Sequence, residues 1–108
     1  MDTDQSHQLE DVRTAIDEID EEIVGLMWRR QRLVRLAGGL KDSDDAVRAP
    51  QRTAEVLEHV CSAAESQDGD RTVVERTYRA MLDAFVDYEL KVRREDEAQA
   101  RLDAFSRS

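Results

Sequence analysis

The chain has 108 residues and a formal net charge of -9, with 38% charged residues, few aromatic residues and a single proline. This length suits one domain with a modest core, and the composition is typical of long helices rather than sheets, so we expect an all-α protein. The acidic balance argues against a nucleic-acid phosphate partner or an anionic membrane surface, because both require a basic patch.

The first predicted element is a long helix from Leu9 to Lys41, preceded by a flexible polar leader at 1–7. Arg30 occupies a position on its apolar seam, which is otherwise formed by Leu9, Val12, Ile16, Ile19, Ile23, Leu26, Leu33 and Ala37. A helix of roughly 33 residues is about 50 Å long, whereas a compact chain of this size has a radius of gyration near ~13 Å. The helix is therefore too long to be covered by its own chain, and we expect a second subunit to cover it.

A short polar segment, 40–46, follows Gly38 and Gly39 and is predicted to be a loop. Loops with charged tips over a pocket often act as lids. Pro50 marks the start of a second helix, because proline is favoured in the first helical turn. This helix is expected to run to Ser66 and to contain a buried thiol at Cys61.

A turn at 67–71 leads to the third helix, for which Thr72 and Glu75 match a capping box. Its predicted seam consists of Val74, Tyr78, Met81, Phe85, Tyr88 and Val92. We expect the helical domain to span 8–92, and 93–108 to form a charged C-terminal helical extension or tail.

Two further absences shape the expected function. His7 and His59 lack metal-ligand spacing, so no metal site is expected. No signal sequence precedes the first predicted helix, and no apolar run approaches the ~18 residues of a membrane span. We therefore expect a soluble, cytoplasmic protein.

Several charged residues lie at positions where a helical protein normally has apolar side chains. Arg30 is on the seam, Arg13 and Lys41 share one flank of it, Arg52 opposes the dipole of the second helix, and Glu89 borders the core of the third. Buried cations are costly unless an anion matches them, so this set predicts a pocket for a small polyanionic ligand. Arginine suits carboxylates in particular, because its planar fork binds them bidentately.

Distances along the first helix limit which of these residues share a pocket. Arg30 and Lys41 are about 16 Å apart along a helix, which two long side chains can bridge around one ligand. Arg13 and Arg30 are about 25 Å apart, too far for one small molecule in one subunit. If Arg13 belongs to the pocket, the partner subunit must supply it.

These residues fall in motifs that resemble the all-helical chorismate mutase family. The motifs are Leu-x-x-Val-Arg-x-x-Ile-Asp-x-Ile-Asp-x-x-Ile-Val around Arg13, Arg29-Arg30-x-x-Leu-Val, Lys41, Val47-Arg-Ala-Pro-Gln-Arg52 and Val74-Glu-x-x-Tyr-Arg-x-Met. They cover about Leu9 to Glu89, in the family's order and nearly its spacing. The resemblance implies a three-helix type II fold and an intertwined homodimer with two equivalent pockets.

The resemblance also implies a reaction and a role for each site residue. The reaction is the pericyclic rearrangement of chorismate to prephenate, which needs no cofactor, metal or nucleophile. By position, Arg13 resembles the arginine supplied in trans, Arg30 and Arg52 the carboxylate clamps, and Lys41 and Glu89 the two contacts to the ether oxygen. Because Glu donates a hydrogen bond only when protonated, we expect activity to fall as pH rises and Glu89→Gln to flatten that profile.

Three alternatives stay open. Many mutases carry a glutamate after the second clamp, where this chain has Thr53, and the spacing from Lys41 to Arg52 is also similar to that of the isochorismate pyruvate lyases, which yield salicylate and pyruvate. Thr53 leaves an amino-substituted chorismate open as the substrate. In the third alternative the chain is a non-catalytic helical interaction module whose arginines pair with its own acidic faces; convergence of the charged set on one cavity would argue against that.

Overall fold

A computed structural model describes residues 3–107, and every regular element in that range is helical. The elements are α1 (Thr3–Gly38), α2 (Asp44–Arg48), α3 (Pro50–Ser66) and α4 (Arg71–Arg107). The all-α prediction is confirmed, with three long helices and one short one. Within the described range, no helix is both long and apolar enough to cross a bilayer. The chain divides into two compact units, one ending at Leu33 and the other beginning at Val34.

Helix α1 is the main element of the first unit, and it has no buried residue. Its apolar seam is about half exposed, as at Ile16 (50%) and Ile19 (53%). Residues 3–7, expected as a flexible leader, are helical, and Asp4 in the first turn suits the helix dipole. Met1 and Asp2 lie outside the described residues. The expectation that a second subunit covers this helix stays a prediction.

The end of α1 differs from the predicted boundary at Lys41. The helix stops at Gly38, and the next amides close tight turns: the Leu40 N–H donates to the Ala37 carbonyl at 3.0 Å, and the Lys41 N–H to the Gly38 carbonyl at 3.2 Å. Lys41 therefore lies on the connecting loop, and the helical distance of about 16 Å from Arg30 does not apply to it. Two adjacent glycines favour this early end because glycine loses more conformational entropy than other residues in a helix.

The last three residues of the segment predicted as a loop, 44–46, are the start of the short helix α2. Ser43 caps it, since its hydroxyl accepts the Ala46 N–H at 3.1 Å, and Asp44 and Asp45 occupy the first turn. Val47 is the apolar anchor of this helix and is only 4% exposed. The segment is thus a loop of a few residues followed by a docked helical turn.

Helix α3 begins and ends where the sequence predicts. Ala49, directly before Pro50, has φ 26° and ψ 70°, in the left-handed region that β-carbon-bearing residues rarely adopt. The chain therefore turns sharply between α2 and α3, with local strain at Ala49.

The core of the second unit lies between α3 and α4. Cys61 is 2% exposed, which confirms the expected buried thiol, and it is accompanied in the core by Leu57, Ala64, Leu82, Phe85 and Leu90. Of the predicted seam of the third helix, only Phe85 is fully buried, and the others are half-buried. The buried track instead follows Leu82, Phe85 and Glu89, positions separated by three and four residues on one helix face.

The turn between α3 and α4 is fixed at both ends. The Gly69 N–H donates to the Ala64 carbonyl at 2.7 Å, and Asp70 caps α4 by accepting the Val73 N–H at 3.0 Å. The predicted capping box at Thr72 is wrong, because the helix starts at Arg71 and the acceptor is Asp70. The carboxylates of Glu65 and Glu58 bind Arg71 and raise its pKa above the ordinary value, so this clamp between the two helices stays charged.

Helix α4 continues well beyond the core, to Arg107. Residues 93–107 are therefore a helical extension, and Leu102 and Phe105 on it are 61% and 81% exposed. Ser108 lies outside the described residues. The domain bounds at 8 and 92 stay a prediction.

Candidate functional site

The charged pair Lys41 and Glu89 is the centre of the candidate site. The Lys41 Nζ lies 3.0 Å from Oε2 and 3.2 Å from Oε1 of Glu89, so one ammonium bridges both carboxylate oxygens. The Glu89 side chain is 8% exposed and that of Lys41 is 28% exposed. An ion pair with one buried and one accessible partner leaves the cation able to meet a ligand from solvent.

The end of α1 makes room for this pair. A β-carbon added at Gly38 would lie 3.4 Å from Oε2 of Glu89, so the carboxylate rests against the bare glycine backbone. Glu89 is buried because it follows Phe85 by one turn on the packed face of α4, rather than on the flank that the sequence predicts. The loop beginning at Gly39 then brings Lys41 over that face.

Arg93, one helical turn beyond Glu89, contacts the same loop. Its Nη1 donates to the Lys41 carbonyl at 3.0 Å, and its Nε donates to Oδ1 of Asp44 at 3.1 Å. The Arg93 side chain is 20% exposed. Helix α4 therefore contacts the loop at two points: Glu89 binds the Lys41 ammonium, and Arg93 binds the Lys41 backbone carbonyl.

The pair lines a cavity of about 440 Å³ in the second unit. Its walls combine three cations and four carboxylates with a few neutral residues: Arg35, Gly38, Gly39, Lys41, Asp42, Tyr88, Glu89, Val92, Arg93, Asp96 and Glu97. The carboxylates outnumber the cations by one, so this cavity alone does not have the cation excess that a dicarboxylate ligand requires. Further arginines would have to complete such a site.

The other predicted site residues do not line this cavity. Arg52 is on the first turn of α3, 72% exposed, with Nη1 3.5 Å from Oε2 of Glu55. Arg13 and Arg30 both belong to the first unit. Arg13 pairs with Glu10 at 3.1 Å and is 62% exposed, and Arg30 is half-buried. Of the five predicted residues, the structure thus brings Lys41 and Glu89 together, and the joint role of all five stays a prediction.

A second cavity of about 590 Å³ lies beside Thr53. It is lined by Arg48, Pro50, Thr53, Leu82, Asp83, Val86 and Asp87. Leu82, Val86, Glu89 and Arg93 follow one another at helical spacing on α4, so both cavities border the same helix face. Thr53 lies beside the apolar part of this helix surface, which is formed by Leu82 and Val86.

Two cations that line the cavity, Arg35 and Arg93, are not predicted by the sequence. Arg93 had a usable signal, because it follows Glu89 by four residues and so lies on the same face of the helix. Arg35 had none, since it repeats the outward pattern of Arg29 and Arg32. Among residues 3–107, no group of three or more His, Cys, Asp or Glu residues is placed to hold a metal ion.

Fold and site together define an all-helical protein with a lysine–glutamate pair at a polar cavity between a helix end and a long C-terminal helix. A profile of the chorismate mutase type II family matches residues 12–90, which is most of the chain. The chain is also 33% identical over 92 residues to an isochorismate pyruvate lyase of Pseudomonas aeruginosa, and this match covers 85% of the chain and 91% of that relative. The chain therefore belongs to the chorismate mutase type II family.

Proposed function

We propose that this protein is an enzyme that rearranges chorismate to prephenate. The observation that carries the proposal is the Lys41–Glu89 pair at a cavity, in a chain of the chorismate mutase type II family. The reaction breaks a C–O bond and forms a C–C bond in one pericyclic step, so the protein's task is to orient the substrate and to stabilise charge. A cytoplasmic role in the biosynthesis of aromatic amino acids or secondary metabolites goes with this proposal.

Lys41 is the group that stabilises the developing charge on the ether oxygen. An ammonium has three N–H donors, and the two oxygens of Glu89 engage at most two of them. At least one donor is therefore available to the substrate, while the buried carboxylate keeps the lysine side chain in position before the substrate binds. A donor aimed in advance at developing charge is worth roughly 10²–10³ in kcat in comparable sites.

The carboxylates of chorismate are assigned to Arg13, Arg30 and Arg52. These three cations would supply the positive excess that the cavity around Lys41 lacks. Arg13 is assigned to the partner subunit of a homodimer, and the exposed seam of α1 supports an extensive contact with a second chain. The small-molecule site would then be complete only in the dimer.

A second candidate activity is the elimination of pyruvate from isochorismate to give salicylate. It is supported by the similarity to the isochorismate pyruvate lyase and by Thr53, which stands where many mutases have glutamate. Both reactions break the bond to the same ether oxygen, so Lys41 and Glu89 would serve either one.

One assay separates these activities. Purified protein is given chorismate and isochorismate separately, and prephenate, salicylate and pyruvate are measured for the wild type, Lys41→Met and Lys91→Met. Lys91 is the other lysine of the chain, 74% exposed on α4, and serves as the matched control. We expect prephenate from chorismate, lost in Lys41→Met and kept in Lys91→Met.

Higher efficiency with isochorismate, giving salicylate and pyruvate, would reassign the protein to the lyase reaction. Failure of the folded dimer to turn over either compound would refute both and leave an altered substrate or a helical interaction module.

A further inference from the structure

Arg93 binds the loop that carries Lys41 through the backbone carbonyl of Lys41. This bond does not involve the Lys41 ammonium, which is the group that would meet the substrate. We propose that Arg93 is a positioning residue, which fixes segment 41–44 on α4 and so keeps the Lys41 ammonium in the cavity. The inference rests on the proposed function for its effect on catalysis, whereas its effect on the loop follows from the contacts alone.

The contacts of Arg93 join two points of this segment. Nη1 binds the Lys41 carbonyl at 3.0 Å, and Nε binds the carboxylate of Asp44 at 3.1 Å. A guanidinium is planar and presents its donors in a fixed fork, so binding two acceptors three residues apart sets the separation between them. Because Asp44 is the first residue of α2, the same side chain also anchors the start of that helix to α4.

The loop has few other attachments. Leu40 is 86% exposed, and both Asp42 and Ser43 are exposed. Apart from the Arg93 contacts, the segment is held to α4 by the Lys41–Glu89 pair and by the buried side chain of Val47 in α2. Loss of Arg93 would therefore release the Lys41 carbonyl from α4, and the side-chain tip would be the part of Lys41 still bound to α4, while the Lys41 N–H keeps its bond to the Gly38 carbonyl.

The two attachments of Lys41 respond differently to a ligand. A substrate oxygen that binds the third donor of the ammonium shares this group with Glu89, so substrate binding acts directly on the Lys41–Glu89 contact. The Arg93 bond goes to the carbonyl of Lys41, away from the ammonium. Arg93 can therefore keep the loop in place throughout binding and reaction.

The first test measures the loop itself by amide hydrogen exchange in the intact protein. In Arg93→Ala, the amides of Lys41, Ala46 and Val47 should exchange faster by about tenfold or more, as expected from the loss of a charge-assisted bond. The Gly69 amide, in the turn between α3 and α4, should not change. Arg94→Ala is the matched control, because Arg94 is the adjacent arginine and is exposed. Unchanged exchange at the three loop amides would overturn the inference.

The second test asks whether the effect on catalysis passes through Lys41. With the substrate that the wild type turns over, Arg93→Ala should lower kcat by roughly 10- to 100-fold, the scale of a small misplacement of a catalytic group. It should lower kcat no further in Lys41→Met, because effects that act through one group are not additive. An equal loss in both backgrounds, or no loss, would refute the positioning role.

Arg93→Lys completes the set in case the alanine variant does not fold. It keeps the charge but cannot reproduce the fork, so it should show the same changes to a smaller degree. Wild-type levels of exchange and kcat in this variant would contradict the requirement for two acceptors. If the wild type turns over neither chorismate nor isochorismate, the proposed function fails, while hydrogen exchange still decides whether Arg93 holds the loop.

Discussion

The unequal burial of Lys41 and Glu89 leads to a quantitative prediction about stability. In Lys41→Met the carboxylate of Glu89, 8% exposed, loses its cation and has little access to water. Removing one member of a fully buried pair costs ~3–5 kcal/mol, and an unsatisfied buried polar group costs ~1–3 kcal/mol. Because the position of Lys41 is 28% exposed, water can partly replace the ammonium, and we expect a loss of about 2 kcal/mol.

The reverse variant should be much less costly. Glu89→Leu leaves the Lys41 ammonium, which can reach solvent, and places an apolar side chain among the buried residues of α4. The free energy of unfolding should therefore fall by less than ~1 kcal/mol. The double variant removes both charges and should recover most of the 2 kcal/mol, which gives a coupling energy of about 1–2 kcal/mol. Activity should not recover, because the donor to the ether oxygen is still absent.

Urea unfolding of the wild type, the two single variants and the double variant, at one fixed protein concentration, measures these free energies. With m near ~2 kcal/mol/M, a loss of about 2 kcal/mol moves the midpoint by about 1 M. Lys91→Met is the control and should stay within ~0.5 kcal/mol, because its pairing with Glu95 at 3.8 Å is exposed. Additive effects of the two substitutions, or a larger loss in Glu89→Leu than in Lys41→Met, would refute the reasoning.

Four further predictions test the rest of the site and fold. Arg30→Ala should weaken substrate binding or turnover at least tenfold through loss of a charge-assisted contact, and Arg29→Ala should not, as measured by KM and kcat. Glu89→Gln should lower kcat, because both Glu89 oxygens accept from the Lys41 ammonium and an amide offers only one acceptor oxygen; an unchanged kcat would count against this support of Lys41. Ala49→Gly should raise the free energy of unfolding by ~0.5–1 kcal/mol by relieving the positive φ, so a loss of stability would contradict the strained turn. Ile16→Glu should move the protein from dimer to monomer in light scattering, since it places charge on the exposed seam of α1, and an unchanged mass would argue against a partner there.

Helix boundaries were predictable where strong local signals stood at their ends. Pro50 and the turn residues after Ser66 defined α3, whose bounds match the structure. The short helix α2 was missed because it contains one buried apolar residue, Val47, and so shows no periodicity. Its signal was the cap at Ser43 followed by two acidic residues, which is weak in a segment that is polar throughout.

The site was predictable in its residue types more than in its geometry. The sequence predicts both Lys41 and Glu89 as site residues, but it also predicts Lys41 on a helix, and that helix ends at Gly38. The apolar seam that begins at Val74 predicts Glu89 on a flank, whereas packing against α3 selects the track through Leu82 and Phe85. Such a rotation of the buried face depends on which helix packs against it, which the sequence of one helix does not encode.

Because the two candidate reactions use the same ether oxygen, their difference has to arise away from Lys41. The ring of the substrate is the part that differs, and the α4 face offers a separate environment for it around Leu82 and Val86. Thr53 borders that environment with a neutral hydroxyl, which can donate or accept a hydrogen bond but contributes no charge. Under the proposed function, substrate choice would therefore depend on Thr53, while Lys41 and Glu89 would serve either reaction.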